Sequence, residues 1–259
     1  MKVKEKKCYS TKKMGLPYQF GGSKMIKLVG IGPGNIDNMT LKAINSIKEA
    51  DVVLGYSTYI NQIRSLLENQ NVIEYAMGEE EKRCKDAIKL SKEGYNVALI
   101  CGGDPNIYSL SNILLNLTDE IEIIPGVTAL SSCASLIGAP LNDFAVISLS
   151  DYNISLENIT KRIEYAAKAD LVMILYNPTS KVRKKKTKRI LETIISIKPP
   201  KTKVALVKNC YRKNFTYKII NLSNILNNLD FIDMNTTIII GNKYSFEKNK
   251  KLITPRWYK

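Results

Sequence analysis

Four short strings in this 259-residue chain carry residue types that can do chemistry, and each follows an apolar run. The first is Gly30-Ile31-Gly32-Pro33-Gly34-Asn35, whose glycines permit a sharp turn and close approach of a ligand to backbone. The second, Cys101-Gly102-Gly103-Asp104-Pro105-Asn106-Ile107-Tyr108, adds a carboxylate suited to an amine or a ribose hydroxyl. Asp104 reads equally well as the N-cap of a helix that Pro105 begins. The third, Pro125-Gly126-Val127-Thr128-Ala129, offers Thr128 as a helix cap or ligand partner, and the small residues that follow also suit plain core packing. The fourth runs from Leu175 through Tyr176-Asn177-Pro178 into a basic stretch ending at Arg189. That stretch reads as a solvated helix face or as a docking surface for a polyanion. Tyr56, in Gly55-Tyr56-Ser57-Thr58-Tyr59, adds a phenol after another apolar run.

Several chemistries are excluded. The chain has no histidine, so a Ser-His-Asp triad, a Cys-His nucleophile and a His-ligated zinc are impossible. Its five cysteines, at 8, 84, 101, 133 and 210, include no CxxC pair, and no metal-ligand set is visible. They read as reduced thiols of a cytoplasmic protein. The first glycine string fails as a dinucleotide fingerprint, because the third glycine position falls on Asn35 and Pro33 lacks an N–H.

The elements that must position these strings alternate. Apolar, β-branched runs at 26–31, 51–54, 96–101, 120–124, 144–149, 171–176, 203–207 and 237–241 predict strands. Amphipathic stretches at 40–50, 57–69, 79–93, 106–117, 127–138, 155–168, 181–197 and 222–229 predict helices. The result is an α/β chain with mostly parallel sheets. Residues 1–24 read as a flexible basic extension. Gly138 and Pro140 punctuate the rest into domains at 25–139 and 140–259, with a cleft between them. No apolar run reaches the length of a membrane span, and the basic N-terminus lacks the apolar core of a signal peptide.

The net charge of +15 is local. Residues 1–24 carry a net +6 and residues 181–189 carry +7, so the remaining chain is nearly neutral. Lys outnumbers Arg by 32 to 7, a poor balance for bidentate phosphate recognition. A nucleic-acid partner is therefore not expected. A basic nucleic-acid-binding module remains the non-enzyme alternative; it leaves ligand-type loops at strand ends unexplained.

Those loops sit at predicted C-terminal strand ends, where open α/β sheets bind ligands. In order and spacing they resemble the tetrapyrrole (corrin/porphyrin) methylases. The resemblance rests on GIGPG, GGDPNIY, PGVTA, LYNP and the run Gly138–Asp151 (GAPLNDFAVISLSD). Asp233-Met234, Ile240-Gly241-Asn242 and Thr254-Pro255-Arg256 extend it, so that it covers Met25 to about Tyr258. It implies a homodimeric two-domain methyltransferase with S-adenosylmethionine in the cleft and S-adenosylhomocysteine as product. Family positions place Pro33, Gly102, Gly103, Asp104, Ile107, Thr128 and Ala129 at the cofactor, with Tyr176 and Cys210 at its methionine or adenosine part.

The branch it resembles methylates carbon 17 of precorrin-3B or cobalt-factor III, with ring contraction, in cobalamin biosynthesis. Other branches act at different corrin positions or on RNA. Methyl transfer from a sulfonium needs a positioned carbon in a dry site and no histidine. Relatives that methylate uroporphyrinogen carry an acidic catalytic residue where this chain has Tyr56, which reads as a general acid or as an aromatic wall. Asn142 stands where related sequences often carry histidine. Lys181 and Arg183 are expected to steer the polycarboxylate tetrapyrrole substrate.

Overall fold

The computed structural model describes residues 24–152, 154–179 and 183–256. Lys181 and all but the last residue of the basic extension lie outside the described residues.

The first half builds one five-stranded sheet. Its strands are β1 (Ile26–Gly30), β2 (Val52–Tyr56), β3 (Asn71–Tyr75), β4 (Val97–Cys101) and β5 (Ile121–Ile124). They lie in the order β3-β2-β4-β1-β5, and every pair is parallel. Strands that are apolar throughout are explained by burial on both faces. Ile26, Leu28, Val52, Leu54, Val97 and Leu99 face Cys84 and Ala87 of helix α3 (Glu80–Lys92). The alternate residues Val29, Val53, Ala98 and Ile100 face Ala43 and Ile47 of α1 (Leu41–Lys48) and Ile60 of α2 (Ser57–Gln62). Thr40 caps α1 by accepting the Ala43 N–H at 3.1 Å.

The helix expected over 106–117 is shorter than its pattern. Only α4 (Ser111–Leu115) forms, and Pro105 does not begin it. Strand β3 was not expected. Its sequence, Asn-Val-Ile-Glu-Tyr, is half polar because it is the sheet's edge.

The second sheet contains β6 (Phe144–Ser148), β7 (Val172–Tyr176), β8 (Lys203–Lys208), β9 (Thr216–Asn221) and β10 (Thr236–Ile240), in the order β6-β7-β10-β8-β9. Helices α6 (Leu156–Lys168) and α7 (Lys184–Ile197) cover one face through Ile159, Ile163, Ile190, Leu191 and Ile194. Here only the β6–β7 pair is parallel. Strand β10 slots antiparallel between β7 and β8, and β8–β9 is a hairpin. The physical reason lies in the connections. The β8–β9 hairpin reverses the chain, and the helix expected at 222–229 forms only two short 3-10 turns in a segment that crosses over β8, so that β10 runs parallel to β9 and antiparallel to the β8 between them. A small hairpin, β11 (Phe246–Lys248) with β12 (Lys251–Ile253), ends the described chain.

Helix α5 (Ala129–Ile137) follows the first sheet in sequence but packs on the other face of the second. Its Cys133, Ala134 and Ile137 meet Val172, Ile174, Ala205, Val207 and Ile239. By packing, the passage from one core to the other therefore falls at 125–128, ahead of the 138–142 punctuation expected.

Candidate active site

The C-terminal ends of β1, β4 and β5 carry the three glycine strings, and these are stitched backbone to backbone. Gly32 and Gly103 form an isolated antiparallel bridge, with N–H···O distances of 3.2 and 2.7 Å. A Cβ on Gly30 would stand 2.6 Å from the Gly103 carbonyl oxygen and 2.7 Å from the Gly126 nitrogen. No side chain fits there, so the glycines serve this crossing as well as any ligand. Gly103 differs: an added Cβ would meet only the Thr128 Cα, at 3.9 Å. One face of the second string is thus open beside the start of α5, a cradle that suits a ligand approaching backbone.

Asp104 does not cap a helix. Its carboxylate accepts the Asn106 N–H at 2.8 Å and the Gly126 N–H at 3.1 Å, tying the second string to the third. Ile107 follows in the same turn, its N–H bonded to the Asp104 carbonyl at 3.2 Å.

Thr128 occupies the N-cap position of α5, yet its own hydroxyl does not cap. Tyr176, at the end of β7, does so instead. Its hydroxyl accepts the Leu130 N–H at 2.5 Å and bonds the Thr128 hydroxyl at 2.9 Å. Burial pushes this phenol up to about 12, against the pull of both partners. Ala129 is the first residue of the helix so capped. Tyr108, which sequence reading left without a role, closes the same corner. Its backbone is left-handed (φ 52°), its hydroxyl donates to the Val146 carbonyl at 2.8 Å, and its ring lies 6.0 Å from that of Tyr176.

Tyr56 ends β2 and meets Tyr59 edge to face at 5.4 Å. It is Tyr59, three residues on, that covers the second glycine string: a Cβ on Gly102 would stand 2.7 Å from its ring. Burial raises the Tyr59 phenol, and the Arg212 charge opposes that rise. Cys210, 8% exposed, follows β8 between left-handed Asn209 and Tyr211. It is hydrogen-bonded to Cys133 of α5, which together with burial pushes its thiol up.

The expected steering residues fare unequally. Lys181 lies outside the described residues. Arg183 is turned inward: it donates to the Leu149 carbonyl at 3.0 Å and to the Met234 sulfur at 3.2 Å, with Asp151 at 3.9 Å. Its side chain is only 13% exposed, so it is a structural tie rather than an open surface charge. Asn142 precedes β6, at the opposite end of the second sheet from Tyr176, and donates to the Thr254 carbonyl at 3.0 Å. Two further arginines stand out. Arg212 bonds Pro33 across 179 residues, a tie no local pattern reveals. Arg83, buried on α3, reaches Glu80 at 3.3 Å, while its Nε and Nη1 have no hydrogen-bond partner among the described residues.

The chain has known relatives. The family described as Tetrapyrrole (Corrin/Porphyrin) Methylases matches residues 25–225. A probable cobalt-factor III C(17)-methyltransferase of Methanothermobacter thermautotrophicus is 39% identical over 239 residues, covering 90% of this chain and 67% of that protein. One of the same description from Salmonella typhimurium is 38% identical over 243 residues, covering 90% of this chain and 99% of that protein. The crystal structure of the methyltransferase CobJ superposes with a TM-score of 0.84 at 28% identity, covering 90% of this chain and all of the other. With the glycine strings in place at the strand ends, these likenesses settle the family: the chain belongs to the tetrapyrrole (corrin/porphyrin) methylases.

Proposed function

We propose that this chain transfers a methyl group from S-adenosylmethionine to carbon 17 of precorrin-3B or cobalt-factor III, with ring contraction, in cobalamin biosynthesis. The observation that carries this reading is the 38% identity to the Salmonella relative, which the chain matches along 99% of its length.

The site fits the cofactor. The open face at Gly103, beside Gly102 and Thr128, leaves room for a ligand against backbone. Pro33 and Ile107 border the same crossing of loops. Asp104 has accepting capacity left for an amine or hydroxyl after its two backbone bonds. Tyr176 and Ala129 lie across the gap, with Cys210 beyond them. When bound, the cofactor supplies the methyl group and its positive sulfonium. The chain's own part is positioning: the Tyr176 bridge fixes the start of α5 beside the glycine loops, and the half-buried rings of Tyr59 and Tyr176 border the space. Tyr56 and Tyr59 offer flat walls to a macrocycle, and either phenol can donate a hydrogen bond. Of the two expected steering residues, Lys181 is the one that remains a candidate to attract the substrate's carboxylates, since Arg183 is tied inward. The proposal extends to a homodimer working in the cytoplasm, an assignment that suits four buried cysteines that are all free thiols.

The deciding experiment incubates the chain with labelled S-adenosylmethionine and cobalt-factor III, with RNA in a parallel tube. A product heavier by one methyl group supports the reading, and label in RNA alone overturns it. Sedimentation of the purified chain tests the dimer.

A further inference from the structure

The β8–β9 hairpin, residues 209–215, is held in an unusual shape. Asn209, Tyr211 and Asn214 are all left-handed (φ 54°, 53° and 63°), a conformation that costs free energy in a non-glycine residue and persists only where the surroundings impose it. Two bonds pin the loop: the Arg212 N–H to the Asn209 carbonyl at 2.9 Å, and the Asn209 amide to the Asn214 carbonyl at 3.2 Å. The outcome is that Arg212, on the second sheet's hairpin, reaches the first glycine string of the other sheet. Its Nε donates to the Pro33 carbonyl at 2.8 Å. Its stem crosses Gly34, where an added Cβ would stand 2.5 Å from Cγ. Gly34 has φ 146°, so both its backbone and the stem above it exclude a side chain.

The guanidinium is thereby held among groups from both domains. Its charge acts on Tyr59, which covers Gly102, and on Cys133 and Cys210. Its two terminal nitrogens have no hydrogen-bond partner among the described residues. A fixed guanidinium with a free bidentate edge is the side chain best shaped for a carboxylate.

We infer that Arg212 is a carboxylate-binding residue of the cleft, clamped through Nε to the first glycine string and presenting its two terminal nitrogens to a ligand. This rests on the methyltransferase reading, which offers two sources of that group: the amino-acid end of the cofactor, or an acetate or propionate arm of the macrocycle.

Arg212→Gln and Arg212→Ala test this, with thermal melts to show that both variants fold. Calorimetry measures S-adenosylhomocysteine and 5′-methylthioadenosine, which lacks the carboxylate; steady-state kinetics measures the macrocycle. If the cofactor supplies the group, the variants weaken S-adenosylhomocysteine at least about tenfold and leave 5′-methylthioadenosine within about threefold. If the macrocycle supplies it, its KM rises at least about tenfold, less so in high salt, while cofactor affinity holds. Gly34→Ala, which displaces the stem but keeps the charge, should move the same constant in the same direction. Equal weakening of both nucleosides, or changes below about threefold in every constant, overturns the inference. A wild-type chain that binds neither nucleoside and methylates nothing sinks the methyltransferase reading instead, so the two failures are distinguishable.

Discussion

Replacing Tyr176 by Phe isolates one hydroxyl that joins the two halves of the site. The ring stays, with its edge contact to Tyr108 at 6.0 Å, so no cavity forms. Two hydrogen bonds are lost: the one accepted from Leu130 N–H at 2.5 Å and the one shared with Thr128 at 2.9 Å. A typical net hydrogen bond contributes about 0.5–1.5 kcal/mol, and loss of a helix N-cap costs about 1 kcal/mol. Leu130 is only partly buried, so water can take over some of the exposed N–H. The expected loss is therefore about 1–2 kcal/mol, roughly 2–8 °C in Tm for a chain of this size. Thr128→Val removes only the second bond and should cost about half as much. The double variant should then lose less than the sum, because the two residues share one bond. Urea unfolding of the four proteins, with calorimetry for S-adenosylhomocysteine, measures both stability and site geometry. A Tyr176→Phe loss below about 0.3 kcal/mol would refute the capping role, and strict additivity with Thr128→Val would refute the bond the two hydroxyls share.

Asp104→Ala removes the acceptor for Gly126 and Asn106; it should weaken cofactor binding at least about tenfold while the chain stays folded, and unchanged calorimetric affinity would leave Asp104 a loop tie only. Gly126→Ala places a methyl against the Gly103 and Gly30 carbonyl oxygens and should cost about 3 kcal/mol or prevent folding, read by expression and circular dichroism; wild-type stability would show that the loops can part. Asp170→Ala strips the partner at 2.8 Å from the buried Lys198 ammonium and should cost about 2–4 kcal/mol in urea, while Lys198→Met should cost less, since Asp170 is partly solvated; the reverse order would contradict the burial argument. Burial raises Cys84 to about 11, Cys101 to about 12 and Tyr176 to about 12, from ordinary values near 9 and 10. The unfolded chain then releases protons that the fold retains, so stability is full below pH 9 and falls from pH 9 to 12; denaturant midpoints that stay flat over that range would count against it.

What the sequence made legible were features decided locally. Val97–Cys101 and Val172–Tyr176 read as strands because every residue is apolar, and each is indeed covered on both faces. The direction of β10 was not legible, since Thr-Thr-Ile-Ile-Ile has the same pattern whichever way it runs; the β8–β9 hairpin reverses the chain and the crossing over β8 keeps that direction. Asp104-Pro105 mimics a helix start, but the carboxylate is claimed by Gly126, 22 residues away. The basic run at 181–189 reads as a free patch, yet Arg183 and Lys186 bond Asp151, Lys184 meets Asp230 and Lys188 meets Glu192. The site's locations were carried by the glycine strings and by family resemblance. The bonds that join them, Tyr176 to Leu130 and Arg212 to Pro33, span 46 and 179 residues and have no local signature.

The absence of histidine has a further consequence once the tyrosines and thiols are placed. Tyr59 and Tyr176 border the candidate site, and burial raises both phenols; Cys101, beside Gly102, is raised as well. All three stay protonated at neutral pH, so they can donate hydrogen bonds but not accept protons. Asp104 is the carboxylate among the loop residues, and backbone N–H groups already engage both of its oxygens. A site so furnished is suited to a reaction whose barrier is lowered by placement and exclusion of water, which methyl transfer from a sulfonium is. Ring contraction, by contrast, needs proton acceptors. Asn142 cannot be one, both because an amide does not titrate and because it lies at the far end of its sheet bonded to Thr254.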